Sequence, residues 1–126
     1  MASSQGTVIW FEIWVRDAER AKAFYGALFG WSFAPFDGYD PDNYWLIDAG
    51  EDAAVNGAVV REPDSAARPS RGTVIYVHVP ELDRAVAKVV ELGGRVTVPA
   101  RRITEAGGSF AMVTDFEGNE VGLWMP

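Results

Sequence analysis

Shifting the chain by 64 positions lays Val15 on Val79, Arg20 on Arg84, Ala21 on Ala85, Ala23 on Ala87, Leu28 on Leu92 and Gly30 on Gly94. The matches keep the same order in both halves, the mark of a duplicated supersecondary unit rather than of chance composition. A chain of 126 residues has room for one ordinary domain built from two such copies. The copies are expected at about residues 7–61 and 72–126, with residues 62–71, rich in Pro, Ser and Arg, as the connector.

In the first copy, Thr7 to Val15 is rich in β-branched and aromatic residues and reads as a strand. Asp17 is a plausible helix N-cap, without a capping box because Arg20 stands where Glu or Gln would close it. Ala21, Phe24, Tyr25 and Leu28 recur at helical spacing as one apolar stripe, and Gly30 supplies a left-handed end. Strands follow near Trp31–Phe36, Tyr44–Ala49 and Val55–Arg61, the first two separated by the loop Asp37–Asn43. The second copy repeats the order. A strand at Thr73–Val79 precedes a helix from Leu82 to Leu92 with Leu82, Ala85, Val86 and Val89 inward. Strands near Arg95–Val98, Ser109–Thr114 and Glu120–Met125 complete it. The pattern is α+β, two βαβββ repeats with a helix on one face of each mixed sheet.

Composition narrows the partners. The net charge of −7 opposes nucleic-acid binding, which needs cationic surface to displace counterions from phosphates, and Arg101-Arg102 reads as a solvated loop. There is no cysteine, so disulfides and thiol chemistry are excluded. No run of eighteen apolar residues and no basic n-region occur, so neither a membrane span nor a signal peptide is expected, and the location expected is cytoplasmic.

Val15-Arg16-Asp17 through Phe24-Tyr25, followed by Leu28-Phe29-Gly30-Trp31, resembles the first strand–helix signature of the vicinal oxygen chelate superfamily. Val79-Pro80-Glu81-Leu82-Asp83-Arg84-Ala85 resembles its second-repeat counterpart, and Asp115-Phe116-Glu117-Gly118-Asn119 its turn before the last strand. The resemblance implies a single glyoxalase-like domain over residues 1–126 with a cupped mixed sheet, and a homodimer. The superfamily includes glyoxalase I, extradiol dioxygenases and metal-free bleomycin-binding proteins, so the fold alone does not select a chemistry. Enzymatic members carry His, Gln or Glu metal ligands on the first and fourth strands of each repeat. The matching positions here are Trp10, Gly57 or Ala58, Val74 and Gly122, none able to hold a cation, so no metal and no cofactor are expected.

Strand alternation places Phe11, Ile13 and Val15, and likewise Ile75, Val77 and Val79, toward the helices. The opposite face carries Trp10, Glu12 and Trp14, then Tyr76 and His78, then Glu120, Gly122 and Trp124. An aromatic wall with a few ionisable groups suits a flat or conjugated ligand. Gly57 and Gly122 are expected to leave room for it. Trp45 joins the candidates with its facing open, and Phe36 and Tyr39 flank the loop as a candidate lid. The first functional reading is metal-independent binding of an aromatic small molecule, with antibiotic sequestration as one form of it. The second is a metal-free isomerase, epimerase or cyclase with Glu12 or His78 as acid/base. A third is a displaced metal site made of Glu12, His78 and Glu120.

Overall fold

Alternating side chains from residue 8 onward form β1 (Val8–Val15), whose one fully covered residue is a carboxylate, Glu12. The structure, a computed structural model, describes residues 6–62 and 72–126. All of the expected connector except Glu62 lies outside the described residues. The chain forms two compact units. One is Trp10–Val74; the other is Ile75–Pro126 with the described residues before Trp10.

In the first unit β1 leads to α1 (Ala18–Phe29), β2 (Ser32–Pro35), β3 (Tyr44–Asp48) and β4 (Asn56–Arg61). β4 runs parallel to β1 and antiparallel to β3, which pairs with β2, so the strands lie in the order β2-β3-β4-β1. The Asp17 carboxylate accepts the Arg20 backbone N–H at 3.0 Å and caps α1, and Gly30, at φ 73°, ends it. The covered stripe of α1 differs from the expected one. Ala18, Ala21, Lys22 and Tyr25 turn inward, whereas Phe24 and Leu28 are 60% and 59% exposed. A stripe read from spacing alone can be rotated by one residue about the helix axis, and Lys22 inside it concealed the true face.

The second unit repeats this plan with β5 (Thr73–His78), α2 (Leu82–Glu91), β6 (Arg95–Thr104), β7 (Gly108–Thr114) and β8 (Glu120–Met125). β5 is parallel to β8, and β8, β7 and β6 follow antiparallel, matching the first unit strand for strand. The fold is α+β with two βαβββ repeats, as the sequence led us to expect. Leu82 of α2 packs with Ala111, Val113 and Leu123, and Ala85, Val86 and Val89 join them. Ile75, expected beneath a helix, is 39% exposed. β6 runs past the expected end at Val98 to Thr104, with breaks in register either side of Val98. It is the outer strand of this unit's order, where Pro99 breaks no ladder that the strand needs. Arg101 and Arg102 therefore sit on a strand rather than in a loop, Arg101 stacking on Phe110 at 5.3 Å. Among the described residues no helix is long and apolar enough to cross a membrane.

Two glycines are filled by neighbouring rings. Phe11 lies opposite Gly57 on the helix-facing side of β1 and β4, and a Cβ on Gly57 would fall 2.7 Å from its ring. Tyr76 lies opposite Gly122, and its ring occupies the space a Cβ there would need. The room expected for a ligand over these glycines is taken by aromatic side chains of the adjacent strand.

Gly122→Ala must displace the Tyr76 ring and is expected to destabilise the fold by about 1–3 kcal/mol in urea titration. The loss in Gly122→Ala/Tyr76→Ala is expected to be smaller than the sum of the two single losses. At the β7–β8 turn, Asp115 accepts from the backbone N–H of Glu117 and of Asn119 and from the Asn119 amide, each at 2.9 Å. Bonds from Asn119, side chain first and then backbone, hold its carboxyl below the usual aspartate range. A folded-state pKa below the unfolded one gives stability that is present above the unfolded value of about 3.9 and lost as pH falls through the folded value. Asp115→Ala should therefore lower the melting temperature at neutral pH and lose less on acidification than the wild type.

Candidate functional site

On β1, Trp10, Glu12 and Trp14 share the face turned away from α1, because side chains alternate along the strand. Parallel pairing sets Glu12 opposite Ala58, and β3 in turn places Leu46 beside Ala58 and Tyr44 beside Val60. Tyr44 and Glu12 are thus two strands apart, about 10 Å between backbones. Ala58, fully buried and small, lets the Tyr44 side chain lean across β4 to reach the carboxylate.

The result is a chain of hydrogen bonds. The Tyr44 hydroxyl donates to Glu12 Oε2 at 2.6 Å, and the Trp14 indole N–H donates to Glu12 Oε1 at 3.1 Å. The Trp10 indole N–H donates to the Tyr44 oxygen at 3.0 Å. Glu12 is 5% and Tyr44 8% exposed. Burial, then the Glu12 charge, then the hydrogen bond to Glu12 push the Tyr44 hydroxyl far above the usual tyrosine range, so it stays a neutral donor. Burial and the same charge also raise Tyr39. A buried carboxylate is tolerated only with donors at hand, and here indole and phenol groups supply them.

Four rings stack beside this network. Trp10 lies 5.5 Å from Phe36, Phe36 5.1 Å from Tyr39, and Tyr39 4.3 Å from Tyr44, all within 22° of parallel. Phe36 and Tyr39, expected as lid residues, are therefore packed against the site. Tyr44 was missed by sequence reasoning, which took the adjacent Trp45. Trp45 faces the other way, pairing with Val59 and carrying the Lys22 ammonium of α1 4.4 Å above its ring. The facing of β3 depends on its register with β4, which no local pattern reveals. Gly57 likewise belongs to the helix side and not to the Glu12 face.

In the second unit, Tyr76 and His78 of β5 share a face with Gly122 and Trp124 of β8. The His78 and Trp124 rings lie 5.5 Å apart, and the Trp124 indole N–H donates to the Gly107 carbonyl at 2.7 Å. Glu120 stands at the far end of β8, level with Thr114 and 3.5 Å from the Thr97 hydroxyl. His78 is level with Trp124, four residues along β8, about 13 Å of strand. The displaced metal site that needed His78 and Glu120 together is not assembled by these two. Among the described residues no group of three or more His, Asp or Glu side chains is placed to hold a metal. The positions that the resemblance assigns to ligands do not fit a cation either. Trp10 presents an indole N–H already given to Tyr44, Ala58 and Val74 are buried and apolar, and Gly122 lies under the Tyr76 ring.

Comparison with known proteins agrees with this architecture. A family model described as bleomycin resistance protein-like N-terminal matches residues 7–40. The chain is 38% identical over 127 aligned residues to "Putative glyoxylase CFP32" of Mycobacterium bovis, and equally to that of Mycobacterium tuberculosis. Each alignment takes in 95% of this chain and 46% of the relative, so the chain spans about half the length of these relatives. Among solved structures, methylmalonyl-CoA epimerase from Mycobacterium tuberculosis shares the fold over 100% of this chain and 92% of its own, with a TM-score of 0.68 and 20% identity. The H200Q variant of homoprotocatechuate 2,3-dioxygenase from B. fuscum does so over 98% of this chain and 34% of its own, with a TM-score of 0.66 and 18% identity.

Trp14→Phe keeps a ring in place but removes one donor from the buried carboxylate. It is expected to lower stability by about 1–3 kcal/mol in chemical denaturation. An unchanged denaturation midpoint would show that the Trp14–Glu12 bond contributes nothing.

Proposed function

We propose that this chain, which belongs to the vicinal oxygen chelate superfamily, is an enzyme of the isomerase, epimerase or cyclase kind that moves a proton at a carbon acid with its own Glu12. One observation carries the reading: Glu12 is a buried carboxylate held at both oxygens by neutral donors beside an aromatic stack. A carboxylate so placed is oriented and shielded from water, the two requirements of a general base acting on a C–H beside a carbonyl. Glu12 would take that proton and return it to another face or another carbon, leaving the substrate isomerised. Phe36 and Tyr39 cover the network, so their displacement is part of the proposal. His78, beside Trp124 in the second unit, is the other candidate acid/base group. Support also comes from relatives, one bearing a glyoxylase name and one an epimerase that shares the fold.

A second reading is retained because four stacked rings also suit a planar ligand held without turnover, as in antibiotic sequestration.

The two readings separate in deuterated water. Proton-to-deuterium exchange is followed by NMR on methylmalonyl-CoA, other acyl thioesters and aromatic α-hydroxy ketones. Wild type is expected to accelerate exchange on one of these. Glu12→Gln should slow it by about 10²–10⁴-fold while binding persists. Tight, saturable binding of an aromatic compound with no exchange on any carbon acid would instead establish the second reading.

A further inference from the structure

The geometry points to Tyr44 as a positioning residue: we propose that, pinned by Trp10, it fixes the orientation of the Glu12 carboxylate and keeps it the acceptor of the network. This rests on the proton-transfer reading, and it concerns a residue that does not itself meet the reacting carbon.

The direction of each bond can be assigned from chemistry. An indole N–H is a donor only, so Trp10 occupies a lone pair of the Tyr44 oxygen. The single hydroxyl proton of Tyr44 is then committed to Glu12 Oε2, at 2.6 Å the shorter of the two bonds the carboxylate receives from Tyr44 and Trp14. Trp14 approaches the other oxygen from Glu12's own strand, while Tyr44 comes from β3, across Ala58. Two donors arriving from different strands constrain the carboxylate plane more tightly than either does by itself. Tyr44 is itself held by ring stacking with Tyr39 at 4.3 Å, so the hydroxyl does not wander. Trp10 stands where the resemblance places a metal ligand, and its N–H instead anchors the group that orients the base.

The test uses the full chain labelled with 15N-Trp and 13C-Glu, with Tyr44→Phe, Trp10→Phe and Glu12→Gln as variants. In folded Tyr44→Phe the Trp14 indole N–H signal is expected to move and the Glu12 carboxyl 13C signal to shift. The Trp10 indole proton should exchange faster with solvent. On a carbon acid that the wild type turns over, kcat should fall by roughly ten- to a hundredfold, the equivalent of one charge-assisted hydrogen bond, with KM within about threefold of wild type. Trp10→Phe should give a smaller loss in the same direction. A tyrosine that only fills space would lower stability and leave the Glu12 and Trp14 signals in place, and that result overturns the proposal. If Tyr44→Phe does not fold, the Tyr44 hydroxyl proton decides. It should be seen downfield in wild type and move in Glu12→Gln, and an unmoved signal overturns the assignment. A wild type without exchange on any carbon acid sinks the proton-transfer reading alone, since the NMR signals still report whether Tyr44 orients Glu12.

Discussion

Parallel pairing of β1 with β4 sets the first unit's chemistry. With Phe11 opposite Gly57 and Glu12 opposite Ala58, one face receives a ring over a glycine and the other a carboxylate beside a small side chain. A slip of one residue would exchange the faces, driving Glu12 toward α1 and Phe11 away from it. The helix-facing side then closes around Phe11 and Trp31, 6.3 Å apart. The other side is left with Trp10, Glu12 and Trp14 on one strand and Tyr44 two strands away.

Burying Glu12 has a cost that its hydrogen bonds from Trp14 and Tyr44 help to offset, and both residues look like core from their composition. Trp10, Trp14 and Tyr44 are aromatic bulk, but each carries one polar atom, and all three polar atoms enter the same network. Such a network specifies its arrangement more sharply than an apolar core would, because a misplaced member leaves a buried polar group without a bond. The same rings serve as wall and as donor, so one sheet face both packs and hydrogen-bonds an ionisable group.

The two units share a plan but not a chemistry. Strand order, the parallel pair and the single helix recur, and each parallel pair contains an aromatic residue over a glycine. In the first unit that ring faces the helix; in the second, Tyr76 lies on the face of His78 and Trp124. The Trp124 N–H goes to a backbone carbonyl rather than to a carboxylate. Duplication thus conserved backbone pairing, which depends on main-chain atoms, while the side chains on each face diverged.

Much of the fold was written locally. The repeat, the Asp17 cap, the Gly30 stop, the inward face of α2 and the placing of Trp10, Glu12 and Trp14 on one side all follow from spacing within a single element. What the sequence could not decide was anything that depends on a neighbour. Trp45 against Tyr44, the side on which Gly57 lies, the ring that fills the space over Gly122, and the passage of β6 through Pro99 all turn on which strand lies alongside and in what register. Periodicity along a strand is a property of a few consecutive residues. The meeting of Tyr44 with Glu12, 32 residues apart in the chain, was set by tertiary structure, through backbone pairing across Ala58.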